Sequence, residues 1–242
     1  MHVTRQPGFI LHRYSYRETS LLLEVFTRDS GRIGLVAKGA RRPHSEYRAI
    51  LNPFQPLILS WVGKGELATL AQAEAETTAI ALQGKSLWCG FYLNELLLRL
   101  LHRHDPHETL YELYRQTLFD LQEPIHQEIA LRLFEKRLLS NLGYGLVLDR
   151  DITDNTPVVA DGAYIYVLDQ GPVARHKTPL AGVSLQGKSL LALGQETLVG
   201  NSVLHETKIL LRAVLDYYLG TKPLHTRRLF HALKQAHGAY TS

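Results

Sequence analysis

The stretch Leu21-Leu22-Leu23-Glu24-Val25-Phe26-Thr27-Arg28-Asp29-Ser30-Gly31-Arg32-Ile33-Gly34-Leu35-Val36-Ala37 decides how the fold is read. It holds two short β-rich runs, Leu21 to Thr27 and Ile33 to Ala37, on either side of the turn signal Asp29-Ser30-Gly31. Upstream, Phe9-Ile10-Leu11 is a further run of the same kind. Downstream come Leu57 to Val62 and Leu67 to Leu70, joined by Gly63-Lys64-Gly65, a hairpin-type connection with glycine available for positive φ. Pro53 and Pro56 flank Phe54 and place the start of the fourth strand at or after Pro56. Five short strands, with no helix between most of them, predict a small closed barrel or a sandwich.

The composition changes near residue 80. Leu87 to Leu101 is apolar around most of a helical circumference, which belongs in the centre of a domain. Pro106 ends it by disfavouring the helical region for Asp105. A second helix is predicted over Glu108 to Leu121. A third is predicted from Pro124, a good first helical position, to about Asn141, where Gly143 stops it. Its expected buried stripe is Ile129, Leu133, Leu138 and Leu142, with Glu128 and Arg132 four apart on the outer face.

Residues 145–185 change character again. Tyr164 to Leu168 alternates like a strand, Asp169-Gln170-Gly171-Pro172 is a turn, and Val173 to His176 is its return, so a hairpin-bearing insertion is expected. A short helix around Ser189, a long one over Val203 to Leu219 and a last one over Thr226 to Gln235 follow. In the long helix Val203, Leu210, Val214 and Tyr217 form one face, and Lys208, Arg212 and Asp216 another. The expected organisation is α+β and multidomain: a five-stranded barrel over 1–79, then a mainly α-helical domain over 80–242 with a small β-hairpin insertion at 145–185.

With 242 residues, 45% hydrophobic and 21% charged, the chain can bury a core without covalent staples and is unlike a disordered one. The single cysteine, Cys89, excludes an internal disulfide and a Cys-rich zinc site and points to a reducing compartment. There is no apolar run of membrane-spanning length and no signal-peptide layout at the N-terminus. Net charge is only +4, but it is unevenly placed. Residues 1–79 hold 10 basic and 7 acidic groups, 80–150 hold 8 and 9, 151–202 hold 3 and 5, and 203–242 hold 6 and 2. The basic excess lies at the two ends of the chain, as a polyanion partner touching both would require; solvated faces also vary this much.

Catalytic constellations are absent. There is no Walker loop, no G-x-G-x-x-G, no G-x-S-x-G and no His-Glu-x-x-His. Cys89 lies inside an apolar helix and reads as a buried, inert thiol rather than a nucleophile. His102, His104 and His107 straddle a helix end with a spacing that matches no standard metal-ligand set. What remains is basic. Lys38-Gly39-Ala40-Arg41-Arg42-Pro43-His44 reads either as a solvated loop or as one that grips phosphates, glycine letting the backbone approach while Lys and Arg neutralise charge. A second patch is Lys222-Pro223-Leu224-His225-Thr226-Arg227-Arg228, in which Thr226 is also placed to cap the last helix. Tyr14 and Tyr16 lie among Arg13 and Arg17 and serve either to stack on bases or to pack the barrel.

Several strings together resemble the RecO family of bacterial recombination mediators. They are Tyr16-Arg17-Glu18-Thr19-Ser20, Val25-Phe26-Thr27, Gly31 and Val36-Ala37-Lys38-Gly39-Ala40-Arg41; then Tyr92-Leu93-Asn94-Glu95-Leu96-Leu97, Leu131-Arg132, Phe134-Glu135, Leu138-Leu139 and Leu142-Gly143-Tyr144; and finally Tyr218 to Leu224. The order is right and most of the chain is covered. The resemblance implies an N-terminal OB-fold and a mainly helical C-terminal domain. It implies a cytoplasmic, nucleoid-associated protein that is not an enzyme and needs no cofactor. Such a protein binds single- and double-stranded DNA, anneals complementary strands, engages RecR and the acidic C-terminal tail of SSB, and helps load RecA on SSB-coated DNA in gap repair. Some members carry a four-cysteine zinc module after Leu-Gly-Tyr; residues 145–185 contain no cysteine, so a metal-free insertion is expected.

The DNA-binding candidates are Arg13, Arg17, Arg32, Lys38, Arg41, Arg42 and Arg48 on the barrel, with Lys222, Arg227 and Arg228 near the C-terminus. Arg132, Lys136 and Arg137 are candidate cations for the acidic tail, although Arg132 is also placed to pair with Glu128. The main alternative is an OB-fold RNA-binding or translation-associated protein. A helical adaptor whose barrel makes protein contacts only is a further one.

Overall fold

The computed structural model describes residues 2–63, 65–177 and 181–230. Strands β1 (His2–Tyr16), β2 (Ser20–Thr27), β3 (Gly31–Ala37), β4 (Leu57–Val62) and β5 (Leu67–Ala75) form a closed barrel in the order β1-β2-β3-β5-β4. This is the predicted barrel, of OB type rather than a sandwich. The short helix α1 (Tyr47–Ile50) lies between β3 and β4. β1 pairs antiparallel with both β2 and β4, and a parallel β3–β5 pairing at Gly34–Leu67 closes the ring. Closure gives every strand a neighbour on each side; the long β1 pairs with β4 through its first half and with β2 through its second.

Alternation along the strands sorts the side chains. Ile10, Leu23, Val25, Ile33, Leu35, Leu57, Leu59 and Trp61 are buried together in the barrel interior. Phe9 and Phe26 have the opposite phase, yet both are fully buried. They are covered by helix α3 (Glu108–Asp120): Phe9 lies 5.6 Å from Tyr111 and 5.2 Å from Tyr114, and Phe26 5.6 Å from Tyr111, ring centre to ring centre. Helix α2 (Gly84–Leu100) completes the cover. Asn94 Nδ2 donates to the Leu11 carbonyl at 2.9 Å, and the Tyr114 hydroxyl donates to Asn94 Oδ1 at 2.6 Å. The barrel wall, apolar on both faces, thus recruits the first two long helices. One compact unit runs to Pro124 and takes in the chain again from Leu224; the other spans Ile125–Pro223.

In the second unit, helix α4 (Gln127–Asn141) begins three residues later than Pro124 suggests, because residues 121–126 form turns. Its buried face also differs from the expected stripe. Leu131, Phe134, Leu138 and Leu139 are buried, and so are Arg132 and Glu135, whereas Ile129, Leu133 and Leu142 are only partly covered. Aliphatic residues occur all round this helix, so periodicity alone admits several buried faces, and packing selects one. The insertion bears the expected hairpin, β6 (Ala163–Val167) and β7 (Gly171–Ala174), and adds a third strand, β8 (Val183–Gln186), in the order β7-β6-β8. Helices α5 (Gly187–Gln195) and α6 (Asn201–Leu219) follow. Leu210 and Val214 are buried on α6, but Tyr217 is 52% exposed and does not belong to the core face. Residues 225–230 are helical; the remainder of the last predicted helix, to Gln235, lies outside the described residues. No helix among the described residues is long and apolar enough to cross a membrane.

Candidate nucleic-acid interface

The β1–β2 turn and the β3–α1 loop lie at the same end of the barrel, because Tyr16 pairs with Ser20 and Leu21 with Ala37. Backbone bonds lace the two together: Arg41 N donates to the Thr19 carbonyl at 2.8 Å, and Arg42 N to the Gly39 carbonyl at 3.0 Å. Gly39 sits at φ +70, a conformation that disfavours any side chain, and this tight turn places Lys38, Arg41 and Arg42 on the rim.

Three of the guanidinium groups here rest on neutral oxygens. Arg41 Nη1 donates to the Arg17 carbonyl at 3.3 Å, and Arg48 Nη1 to the Pro43 carbonyl at 3.4 Å. Arg13 Nη1 donates to the Leu51 carbonyl at 3.0 Å and to Asn52 Oδ1 at 2.7 Å. Among the described residues, none of Arg13, Arg17, Lys38, Arg41, Arg42 and Arg48 has a carboxylate partner within 4.0 Å. All six are exposed. Elsewhere in the same unit, Arg5 pairs with Glu74, Arg28 with Asp29, Arg103 with Glu24 and Arg115 with Glu76. Six cations without a carboxylate partner therefore lie on the barrel, around this end. Two aromatic rings accompany it: Tyr14 is 49% exposed, and the Arg17 guanidinium lies 5.2 Å from the Tyr16 ring centre.

The remaining sequence candidates are placed differently. Arg32 is largely buried at the opposite end of β3, bonded to the Leu98 carbonyl and 4.0 Å from Glu24, which also holds Arg103. Burial first, and then the neighbouring Arg103, lower its pKa against the opposing effect of Glu24. Lys222 belongs to the second compact unit, while Arg227 and Arg228 belong to the first. Arg227 lies 5.6 Å from the Tyr92 ring centre. The turn of helix at 225–230 is capped by Glu95 of α2. Its carboxylate accepts the His225 and Thr226 amides at 2.7 and 2.9 Å and the Thr226 hydroxyl at 2.6 Å, so the cap that sequence assigned to Thr226 is supplied from a distance.

The cations singled out on α4 are all engaged. Arg132 is buried between Glu135 at 2.6 Å and Glu128 at 3.4 Å, and so is not on the outer face. Lys136 and Arg137 share Glu196, whose pKa the Arg137 hydrogen bond lowers to about 2 against the effect of burial. In the insertion, Asp151 is buried. It accepts the Thr153 amide and hydroxyl at 2.9 and 2.6 Å, the Ala174 amide at 2.8 Å and Lys177 Nζ at 3.0 Å. Burial opposes its ionisation, but these bonds outweigh it and hold the carboxyl well below the usual range. Of the three histidines, His104 Nε2 lies 3.1 Å from the Gly65 carbonyl and His107 Nε2 lies 3.2 Å from Asp105. No group of three or more His, Cys, Asp or Glu among the described residues is placed to hold a metal ion.

A cationic, aromatic-bearing rim on an OB-type barrel has the chemistry of a nucleic-acid-binding module, and comparison with known families gives the class. Residues 1–79 match the model described as Recombination protein O N terminal, and residues 82–228 the model described as Recombination protein O C terminal. The chain belongs to the RecO family. It is 48% identical over 231 residues to the DNA repair protein RecO of Nitrosospira multiformis, covering 95% of this chain and 96% of the relative. It is 46% identical over 235 residues to the DNA repair protein RecO of Nitrosococcus oceani, covering 97% and 96%.

Proposed function

We propose that this chain is a DNA-binding recombination mediator that grips the phosphate backbone with the barrel rim formed by Arg13, Arg17, Lys38, Arg41, Arg42 and Arg48. The observation that carries the reading is that these six exposed cations have no carboxylate partner among the described residues, three of them, Arg13, Arg41 and Arg48, resting on carbonyl and amide oxygens instead. A polyanion supplies the missing charge and reads no sequence in doing so. Both single- and double-stranded DNA meet that requirement. Annealing needs no bond chemistry: positive charge lowers the repulsion between two complementary strands, so no catalytic residue is assigned. Tyr14 and Tyr16 offer faces for unstacked bases. Arg227 and Arg228 are further candidate phosphate contacts on the same unit, and Lys222 is one on the other.

Membership of the family supports the further steps: engagement of RecR and of the acidic SSB tail, and help in loading RecA on SSB-coated DNA in the cytoplasm at the nucleoid. Of the α4 cations, Arg137 has the most exposed side chain, and an acidic tail reaches it by exchange with Glu196. Arg132 takes no part, because its guanidinium is enclosed by Glu128 and Glu135. The test is a folded Lys38→Ala/Arg41→Ala/Arg42→Ala variant titrated with single-stranded DNA across salt. Affinity falls for every sequence, and the log–log salt slope flattens by about 0.7 for each phosphate no longer neutralised. Retention of both affinity and slope rejects the rim. Competition between DNA and RNA of one sequence separates this reading from an RNA-binding one.

A further inference from the structure

Three tyrosines gather on the surface of the second unit, and neither the core nor the rim uses them. Tyr144 follows the end of α4, where Gly143 at φ +86 reverses the chain and Tyr144 N donates to the Leu139 carbonyl at 2.8 Å. Its ring stacks on that of Tyr218, with centres 4.0 Å apart and planes 22° from parallel. Tyr217 meets Tyr218 edge to face at 5.2 Å and 85°. The middle ring is locked from behind: the Tyr218 hydroxyl donates to Asp169 Oδ1 at 2.6 Å, across the β6–β7 turn. The outer two rings are open, Tyr144 being 41% and Tyr217 52% exposed.

An aromatic group that serves a core is buried, and a lone exposed tyrosine needs no explanation. This cluster is neither. It is a preformed stack whose central member is fixed by a hydrogen bond, so the two outer rings are ordered before any ligand arrives. A flat π surface of this kind accepts another flat π surface by offset stacking. The charge nearby in sequence does not oppose an anionic ligand: Asp216 is paired with Arg212 at 3.9 Å, Asp169 accepts the Tyr218 hydroxyl, and the exposed Lys222 lies just beyond the helix end. Planar rings joined by phosphates are unpaired nucleotides.

We propose that Tyr144, Tyr217 and Tyr218 form a second single-strand site on the helical unit, where bases stack on the two open rings. The proposal rests on the annealing reading above, because annealing requires a place for a second strand besides the rim. Stacking recognises bases without reading their identity, which suits a strand of any sequence.

The experiment compares a deoxythymidine oligonucleotide with an otherwise identical abasic one, measured by fluorescence anisotropy on the full chain. Wild type binds the base-bearing strand about tenfold more tightly, in line with the ordinary worth of one or two stacked bases. Tyr144→Leu/Tyr217→Leu loses a measurable part of that preference, the rest belonging to Tyr14 and Tyr16, whereas Tyr144→Phe/Tyr217→Phe keeps all of it, since the phenyl face still stacks. Because Tyr144→Leu can disturb the turn after α4, Tyr217→Leu alone is measured as well, with a melting curve. It retains the wild-type melting temperature and still loses part of the base preference. Photocrosslinking with a 5-iododeoxyuridine oligonucleotide places an adduct on the peptide holding Tyr144 or Tyr217. An unchanged base preference in both leucine variants, with no adduct on either peptide, overturns the site. The rim variant run alongside distinguishes the two ideas: it lowers affinity for both oligonucleotides alike, so the platform can fail while the rim stands, and the reverse.

Discussion

Arg13 Nη1 lies 2.7 Å from Asn52 Oδ1, joining strand β1 to the segment that leads into β4 across 39 residues of sequence. Asn52 is held in turn, its Nδ2 donating to the Ala49 carbonyl at 2.9 Å. A neutral amide therefore positions a cation without cancelling its charge.

Asn52→Ala tests that relationship. It leaves the net charge unchanged and releases Arg13 from one of its two oxygen partners. Single-strand affinity is expected to fall about two- to fivefold, the cost of ordering one long side chain on binding. The salt slope stays at the wild-type value, because the number of phosphates neutralised is the same. A slope that flattens as much as in Arg13→Ala shows that Arg13 no longer reaches DNA.

Arg32 is expected to behave unlike the rim cations. Glu24→Gln leaves Arg32 and Arg103 facing each other with no carboxylate between them, and breaking a largely buried pair in this way costs about 3 kcal/mol of stability. Denaturant unfolding measures the loss. The salt slope for DNA binding is unchanged, since neither guanidinium lies on the rim.

Glu196 predicts a pH dependence. Its folded pKa of about 2 lies below the ordinary 4.5, so its contribution is complete above about pH 4.5 and is lost as pH falls toward 2. Melting temperatures recorded over that window fall more steeply for wild type than for Glu196→Gln. At neutral pH the variant is the less stable of the two, and the curves converge at low pH. Parallel curves would show that Glu196 does not hold Lys136 and Arg137 in solution.

The Asp151 knot makes a local prediction. Asp151→Asn weakens the bond to Lys177 Nζ and turns one acceptor into a donor facing the Ala174 or Thr153 amide. The expected cost is about 3 kcal/mol, the penalty for unpairing a buried charge network. Hydrogen exchange at the Ala174 amide rises well before global unfolding. A chelator is expected to leave wild-type melting unchanged, because the Asp151 oxygens are already taken by Thr153, Ala174 and Lys177.

Much of the fold is legible in the chain. The Leu21–Ala37 stretch becomes β2, turn and β3, with Leu23, Val25, Ile33 and Leu35 inside the barrel. Period-two alternation fixes this locally. The same alternation misleads at Phe9 and Phe26, which are out of phase with the interior and still fully buried, because α3 covers the outer wall. On α4 the aliphatic residues surround the helix, so no period singles out Leu131 and Phe134 over Ile129 and Leu133. The third strand of the insertion, Val183–Gln186, is four residues long and too short to carry a period of its own. The aromatic stack joins Tyr144 to Tyr218 across 74 residues, and no local pattern reports it.

Sequence by itself determined the five strands, the helical runs, the lack of a cysteine framework and the basic character of the Lys38–His44 loop. Those depend on periodicity, turn chemistry and composition, all of which act over a few residues. Tertiary structure alone decided which cations are left unneutralised. Arg103 meets Glu24 from 79 residues away and Lys136 meets Glu196 from 60, while Arg13 meets only oxygens that carry no net charge. Coulombic partnership depends on distance in space, and folding sets that distance.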